Sequence, residues 1–369
     1  MNAKGVVLYI GGFELPDKNA AAQRVVGNAH ALQALGYEVI FLNKTSCKNK
    51  SEISCFGCHC INSPKVGWKY LISATEVKKT IKKYKISHLI AYNYPAIALK
   101  KIIKYCKKNG VKCYADVTEW YEIKGNPLKK LFKKYDVELR MKKLHKCMDG
   151  VIAISEYLYQ YYCRDVKTVK IPPLVNINEE KWNKFERENE GITVFSYVGS
   201  PSARKEKLDL IVKTIEKMSE KINAILIIVG ITKAEFEQIY SLSIDSQAII
   251  FKGRLPHEEA IQIVKQSDWS IIMRENFLFV QAGFPTKVVE SISCGTPVLA
   301  NKFSNIQDYL NERNSVLFDA DKQLADAINS ACENRLKIDN TIFHYSNYLE
   351  KFMELFNNTY RGEYGKKET

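Results

Sequence analysis

A chain of 369 residues is long for one hydrophobic core and suits two α/β domains of roughly 150 to 200 residues each. Its apolar content of 46% is ordinary for a soluble protein. The longest apolar run, Ala224–Val229, is too short to cross a bilayer, and the opening residues lack the apolar length of a signal peptide, so the expected location is the cytoplasm. The net charge of +14 lies in the first half, where residues 1–175 carry 31 Lys and Arg against 13 Asp and Glu.

Strand-like and helix-like runs alternate along the whole chain, which predicts parallel sheets covered on both faces. Val6–Ile10 reads as a strand with Gly11-Gly12 as its turn, and Asn19 as the cap of a helix from Ala20 to Leu35 that Gly36 ends. A strand at Glu38–Leu42, a helix near Thr75–Tyr84 and a strand at His88–Tyr92 follow. Between them lies a run of Cys47, Cys55, Cys58, His59 and Cys60. Its Cys55/Cys58 spacing suits zinc, but it lacks a second spaced pair, so no metal site is expected and the ten cysteines are expected as free thiols. Pro95 opens a helix that stops at Gly110, and Lys112–Ala115 is a strand.

A lysine-rich segment, Pro127–Asp149, then reads as one helix bearing Lys129, Lys130, Lys133, Lys134, Arg140, Lys142, Lys143 and Lys146, with Leu128, Leu131 and Phe132 interleaved. Such a face suits an anionic membrane surface or a lipid-pyrophosphate acceptor, and reads equally as a solvated helix. No nucleic-acid-binding motif accompanies the charge. A strand at Val151–Ile154 closes the first series. The rigid Lys170–Asn176, with Pro172-Pro173, and the polar Asn178–Gly191 read as a linker and hinge.

The second series comprises strands Thr193–Val198, Ala224–Val229, Ala248–Phe251, Trp269–Met273 and Pro297–Asn301. Between them lie helices Leu208–Met218, Ala234–Tyr240 and Glu258–Gln266, then a helix holding Glu290. A last helix spans Tyr345–Tyr360. The expected domains are 1–172, a linker 173–191, and 192–344.

The most informative stretch is Gly283–Ala300, GFPTKVVESISCGTPVLA. Gly283 permits close approach of a ligand to the backbone, Pro285 suits a first helical turn, and the N–H groups that follow point toward an anion. Glu290 lies further into the helix, placed to accept two hydrogen bonds from a vicinal diol such as ribose. Gly295 ends the helix before a strand starts. Arg274, at the end of its strand, is placed for phosphate or for a salt bridge with Glu275. Gly199 and the cations Arg204 and Lys205 follow the first strand of the second series, where ligands sit in open α/β sheets.

These residues, with Cys294-Gly295-Thr296-Pro297-Val298, resemble the donor site of the retaining glycosyltransferases of family 4, in particular the subgroup that assembles capsular and other cell-surface polysaccharides. The resemblance reaches nearly the whole chain. It implies an α/β GT-B fold, two Rossmann-like domains with parallel sheets facing across an interdomain cleft, the last helix (within 345–369) returning to the first domain. It implies transfer of a sugar from a UDP- or GDP-linked donor to a hydroxyl of a growing glycan or lipid-linked oligosaccharide, without a separate cofactor or metal. The enzyme would sit at the cytoplasmic face of the inner membrane.

By the same resemblance Lys205 and Arg204 grip the leaving diphosphate, Gly253-Arg254 lies near the nucleobase, and Gly11, Gly12, Gly199, Arg274, Gly283, Phe284, Pro285, Thr286, Lys287 and Glu290 form the binding surface. The helix from Asn19 to Val25 corresponds to the acceptor side, with Arg24 as an anion or sugar contact. Asp116 and Glu119, after a strand and beside Trp120 and Tyr121, are candidates to orient the acceptor hydroxyl or take its proton. The chain departs from the pattern at Ala282, where many relatives carry a first glutamate, and Lys287 is the candidate charge in its place. Two other readings share the fold: a nucleotide-sugar epimerase, and a catalytically silent binding protein.

Overall fold

The computed structural model describes residues 3–15, 19–46, 48–65, 67–120, 127–183, 191–201 and 205–357. The chain divides into two compact units, 1–174 together with 345–369, and 175–344.

The first unit is built on an eight-stranded sheet. Its strands are β1 (Val6–Gly11), β2 (Glu38–Thr45), β3 (Ser51–Cys55), β4 (Cys58–Pro64), β5 (His88–Tyr92), β6 (Lys112–Val117), β7 (Gly150–Ala153) and β8 (Thr168–Lys170). The order is β3-β4-β2-β1-β5-β6-β7-β8, and every pairing is parallel except that of β3 with β4. Continuous burial along β1 and β6 reflects helices on both faces, which is why these strands read as apolar runs and not as alternating patterns. Helix Ala20–Ala34 lies close against the chain at Leu174: a Cβ on Gly27 would fall 2.2 Å from the Leu174 carbonyl oxygen.

The closing helix, Leu349–Phe356, is preceded by a 3-10 turn over Tyr345–Tyr348 and packs within this unit. Phe352, Leu355 and Phe356 join its core, and the Phe356 ring stacks 4.7 Å from both His88 and Tyr114. The residues beyond 357 lie outside the described ones.

The second unit has six parallel strands: β9 (Thr193–Val198), β10 (Ala224–Val229), β11 (Ile249–Gly253), β12 (Trp269–Ile272), β13 (Val298–Asn301) and β14 (Ser315–Phe318). Their order, β11-β10-β9-β12-β13-β14, is that of a doubly wound sheet, in which the winding direction reverses between β9 and β12. Trp269 anchors the core and donates its indole N–H to the Ala331 carbonyl at 2.8 Å, tying down helix Leu324–Glu333. Val175 donates to Phe343 at 3.0 Å and Trp182 is buried, so the stretch after the two prolines packs with this unit.

The lysine-rich segment differs from its expected form. It is α-helical over Pro127–Leu139, widens to a π turn over Arg140–Leu144 and tightens to a 3-10 turn over His145–Cys147. Arg140, read from sequence as part of the basic face, is instead buried and donates to the Asn93 carbonyl at 2.8 Å. His145 is buried against the Tyr162 hydroxyl at 2.9 Å. The cysteine run forms the β3–β4 hairpin with Cys58 and Cys60 buried; Cys47 lies outside the described residues. No group of three or more His, Cys, Asp or Glu among the described residues is arranged to hold a metal ion.

Candidate functional site

In open α/β sheets ligands bind beyond the carboxyl ends of the strands where the winding reverses, here β9 and β12. Gly199 leaves β9 and Arg274 follows β12, so the fold delivers both to that point. Gly199 takes a left-handed φ of +124°, and a Cβ on it would stand 2.6 Å from the Cε of Lys287; only glycine lets that lysine run beneath the turn. Gly230 packs against the same turn, where a Cβ would clash with the Gly199 carbonyl carbon at 2.5 Å.

Arg274 is held at both backbone groups by Asn301, which accepts from its N–H at 2.9 Å and donates to its carbonyl at 2.8 Å. Its guanidinium lies 3.2 Å from Glu206, and Lys287 Nζ lies 3.6 Å from the same carboxylate. The Lys287 ammonium also donates to the Tyr197 hydroxyl at 2.6 Å and sits 3.8 Å from that ring's centroid. Glu206 is 4% exposed, so two cations converge on one buried carboxylate.

The helix Thr286–Ser293 carries both Lys287 and Glu290, with Pro285 at its N-cap. Glu290, 15% exposed, accepts from or pairs with His257 Nε2 at 3.1 Å. The motif after it is fixed from inside: Ser291 donates to the Thr296 carbonyl at 3.0 Å and Thr296 to the Val264 carbonyl at 2.7 Å. Lys205 is exposed, its Nζ 5.5 Å from the Phe279 ring centroid, and its carbonyl accepts from Glu275 N–H at 2.9 Å, beside Arg274.

Gly199, Arg274, Lys287 and Glu290 are therefore brought together, with Lys205 next to them in the chain at Glu206. Thr286 opens the helix and Gly283 accepts from Ser304 at 2.6 Å. Phe284 is core, packed edge-on against Tyr309 at 5.3 Å, so its expected place on a binding surface is corrected. Arg254, expected near the nucleobase, is exposed and donates to Glu235 at 2.8 and 3.0 Å, on the capping box of helix Lys233–Tyr240. Arg204 lies outside the described residues. Ala282 is fully buried at the end of the short helix Leu278–Gln281.

In the first unit, Asp116 is fully buried, and its expected catalytic role is corrected by its partners. Arg24 Nε donates to it at 2.9 Å and Arg24 Nη2 lies 2.8 Å away, Asn28 donates at 3.3 Å, and the Tyr9 hydroxyl donates as well. Arg24, read as an acceptor anion or sugar contact, is 1% exposed and also donates to the Ile171 carbonyl at 2.9 Å. This pair joins β1, β6, the first helix and the chain after β8 from within. Gly11 packs against the Phe13 ring, and a Cβ on Gly12 would meet Lys65 and the Lys44 carbonyl. Glu119 is exposed beyond β6, and Trp120 packs edge-on against Tyr161 at 5.1 Å; Tyr121 is outside the described residues.

Glu206, His257, Asn301 and Tyr197 were not singled out from sequence. Glu206 stands in a charged run that reads as a solvated helix start, and only the antiparallel bridge between Glu206 and Arg274 turns it inward.

Burial pushes the Lys287 amine down to about 7; Glu206 opposes that shift, Arg274 reinforces it and Glu290 opposes it. In the unfolded chain the same amine titrates near 10.5. Between those values the unfolded state binds a proton that the folded state does not, so the destabilisation this group causes is full below about 7 and is relieved progressively as pH rises to 10.5. A bound diphosphate favours the ammonium. Nucleotide binding is therefore expected to take up a proton above pH 7 and to weaken between pH 7 and 9. Calorimetry of UDP in buffers of different ionisation enthalpy checks this, with Lys287→Met expected to abolish the uptake; uptake unchanged in that variant places the proton elsewhere.

Residues 178–347, nearly the second unit, match the family model described as glycosyl transferases group 1. No curated protein matches the chain in sequence. Among solved structures, sucrose-phosphate synthase from Thermosynechococcus elongatus is similar with a TM-score of 0.69 at 15% identity, over 96% of this chain and 98% of that one. A glycosyltransferase from Rickettsia africae gives 0.67 at 15%, over 96% and 100%. Anabaena HepE in complex with UDP and glucose gives 0.64 at 14%, over 95% and 98%. Likeness at such identity is one of fold. Residues 178–347 thus match the glycosyl transferases group 1 model, in a chain whose α/β fold of two parallel-sheet domains matches that of GT-B glycosyltransferase structures.

Proposed function

We propose that the chain transfers a sugar from a nucleoside-diphosphate donor, UDP- or GDP-linked, to a hydroxyl of a growing glycan or lipid-linked oligosaccharide, with retention of configuration, in cell-surface polysaccharide synthesis. The observation that carries this is the convergence of Arg274, Lys287 and Glu290 at the winding reversal of a unit that matches the glycosyl transferases group 1 model. HepE, similar in fold, has been solved with UDP and glucose.

In this reading the bond between the anomeric carbon and the β-phosphate oxygen breaks, the acceptor oxygen bonds to that carbon, and the acceptor proton passes to the departing phosphate oxygen. Charge grows on the departing diphosphate, so cations fixed beforehand stabilise the transition state more than the ground state. Arg274, Lys287, Lys205 and the N-terminus of helix Thr286–Ser293 supply that charge without a divalent ion. Glu290, oriented by His257, accepts from the ribose hydroxyls. The test is nucleotide release from a panel of UDP- and GDP-sugars: release that depends on an added acceptor supports the reading, whereas isomerisation of free donor without acceptor replaces it with an epimerase.

We also propose that helix Pro127–Leu139 rests on an anionic membrane face. No helix among the described residues is long and apolar enough to span one. Leu131 and Tyr135, one turn apart, are 67% and 57% exposed, with Lys130 and Lys134 beside them. Apolar side chains flanked by lysines suit insertion at a headgroup layer. Replacing Lys130, Lys133 and Lys134 with glutamine is expected to weaken binding to phosphatidylglycerol vesicles at least tenfold at low salt in a sedimentation assay; equal binding rejects this contact.

A further inference from the structure

The first unit contains a cavity of about 590 Å³ that shares no residue with the nucleotide site. It lies at the carboxyl ends of β2 and β4, where open α/β sheets bind ligands, and is closed by helix Thr75–Lys83. Its lining holds five lysines, Lys44, Lys50, Lys69, Lys79 and Lys83, against one carboxylate, Glu76.

Glu76 is already engaged. It accepts from Lys44 and, at 2.7 Å, from Ser63, with Lys50 at 3.8 Å. Burial raises its carboxyl, but these hydrogen bonds outweigh it and hold the group below its ordinary range, charged. The lining keeps an excess of four positive charges in one concave space, and like charges so gathered repel until an anion enters. Tyrosines occupy the same wall: Tyr94 is buried with Tyr70 edge-on at 5.6 Å, and Lys83 sits 4.6 Å from the Tyr84 centroid. Aromatic faces with a polar tip suit sugar rings, and the volume exceeds what a lone phosphate fills.

We propose that this cavity binds the anionic end of a saccharide, bearing a carboxylate or a phosphate, and that this saccharide is the acceptor; the second half rests on the transferase reading. Binding to the full chain is measured by calorimetry with three probes: a hyaluronan tetrasaccharide, glucose 6-phosphate, and the neutral N-acetylchitotetraose. The test variant is Lys69→Gln/Lys79→Gln, two exposed positions, and the charge-matched control is Lys217→Gln/Lys221→Gln on the second unit.

At least one anionic probe is expected to bind tenfold or more tightly than the neutral one, to weaken with salt, and to lose at least tenfold in the test variant but not in the control. Which anionic probe responds separates carboxylate from phosphate. Failure of both anionic probes, equal affinity in the test variant, or neutral binding as tight as anionic overturns the proposal. UDP affinity measured on the same samples reports on the second unit alone, so failure here with nucleotide binding retained leaves the transferase reading standing.

Discussion

Replacing Asp116 with alanine is expected to destabilise the first unit by about 3–5 kcal/mol, because it leaves the Arg24 guanidinium buried without its counterion. That is a large fraction of the ~5–15 kcal/mol that holds a domain folded. The loss extends beyond one ion pair, since Asn28 and Tyr9 also donate to this carboxylate. The double variant Arg24→Met/Asp116→Leu is expected to recover most of the loss, as buried pairs replaced on both sides by apolar groups often do. Urea unfolding midpoints of the two singles and the double decide it. An Asp116→Ala protein that unfolds like the parent yet transfers no sugar restores a chemical role to that carboxylate.

The second large effect concerns turnover. Lys205→Ala is expected to lower kcat about 10²–10³-fold, the usual result of removing one fixed stabiliser of developing charge. The side chain is exposed next to Arg274, so its loss leaves the fold intact and acts on chemistry. Glu290→Ala is expected instead to raise the donor KM, through loss of charge-assisted hydrogen bonds of about 1.5–3 kcal/mol. Steady-state nucleotide release separates the two signatures. A Lys205→Ala variant changed only in KM assigns this lysine to ground-state binding.

Much of the strand and helix series of both units was legible because buried parallel strands are apolar runs, and because the helices before Gly36, Gly110 and Gly295 stop at a glycine. The central strands of both sheets and the helix bearing Glu290 follow those signals. Strand β3 was not read as a separate strand since SEISC is polar and mostly exposed, nor β8, which has only three residues; β14 and the helices Glu156–Tyr162 and Leu324–Glu333 were not read either. The donor-side helix was legible from Gly283, Pro285, Glu290 and Gly295, each of which acts locally.

What sequence did not yield are pairings between distant positions. Asp116 meets Arg24 across 92 residues, and nothing near Asp116 in sequence indicates that its carboxylate is already occupied. Lys287 meets Tyr197 across 90 residues, and its burial beneath Gly199 is a property of the folded turn. Arg254 shows the reverse: a glycine turn with a cation looked like a ligand contact, but a glutamate 19 residues earlier takes the guanidinium.

The most direct measurement is calorimetric titration of UDP and GDP into the full chain and into Glu290→Ala and Lys205→Ala. At least one nucleotide is expected to bind the parent, and to bind Glu290→Ala at least tenfold more weakly. Absence of binding by either nucleotide, or affinities unchanged in both variants, contradicts a nucleoside-diphosphate site at Lys205, Arg274, Lys287 and Glu290.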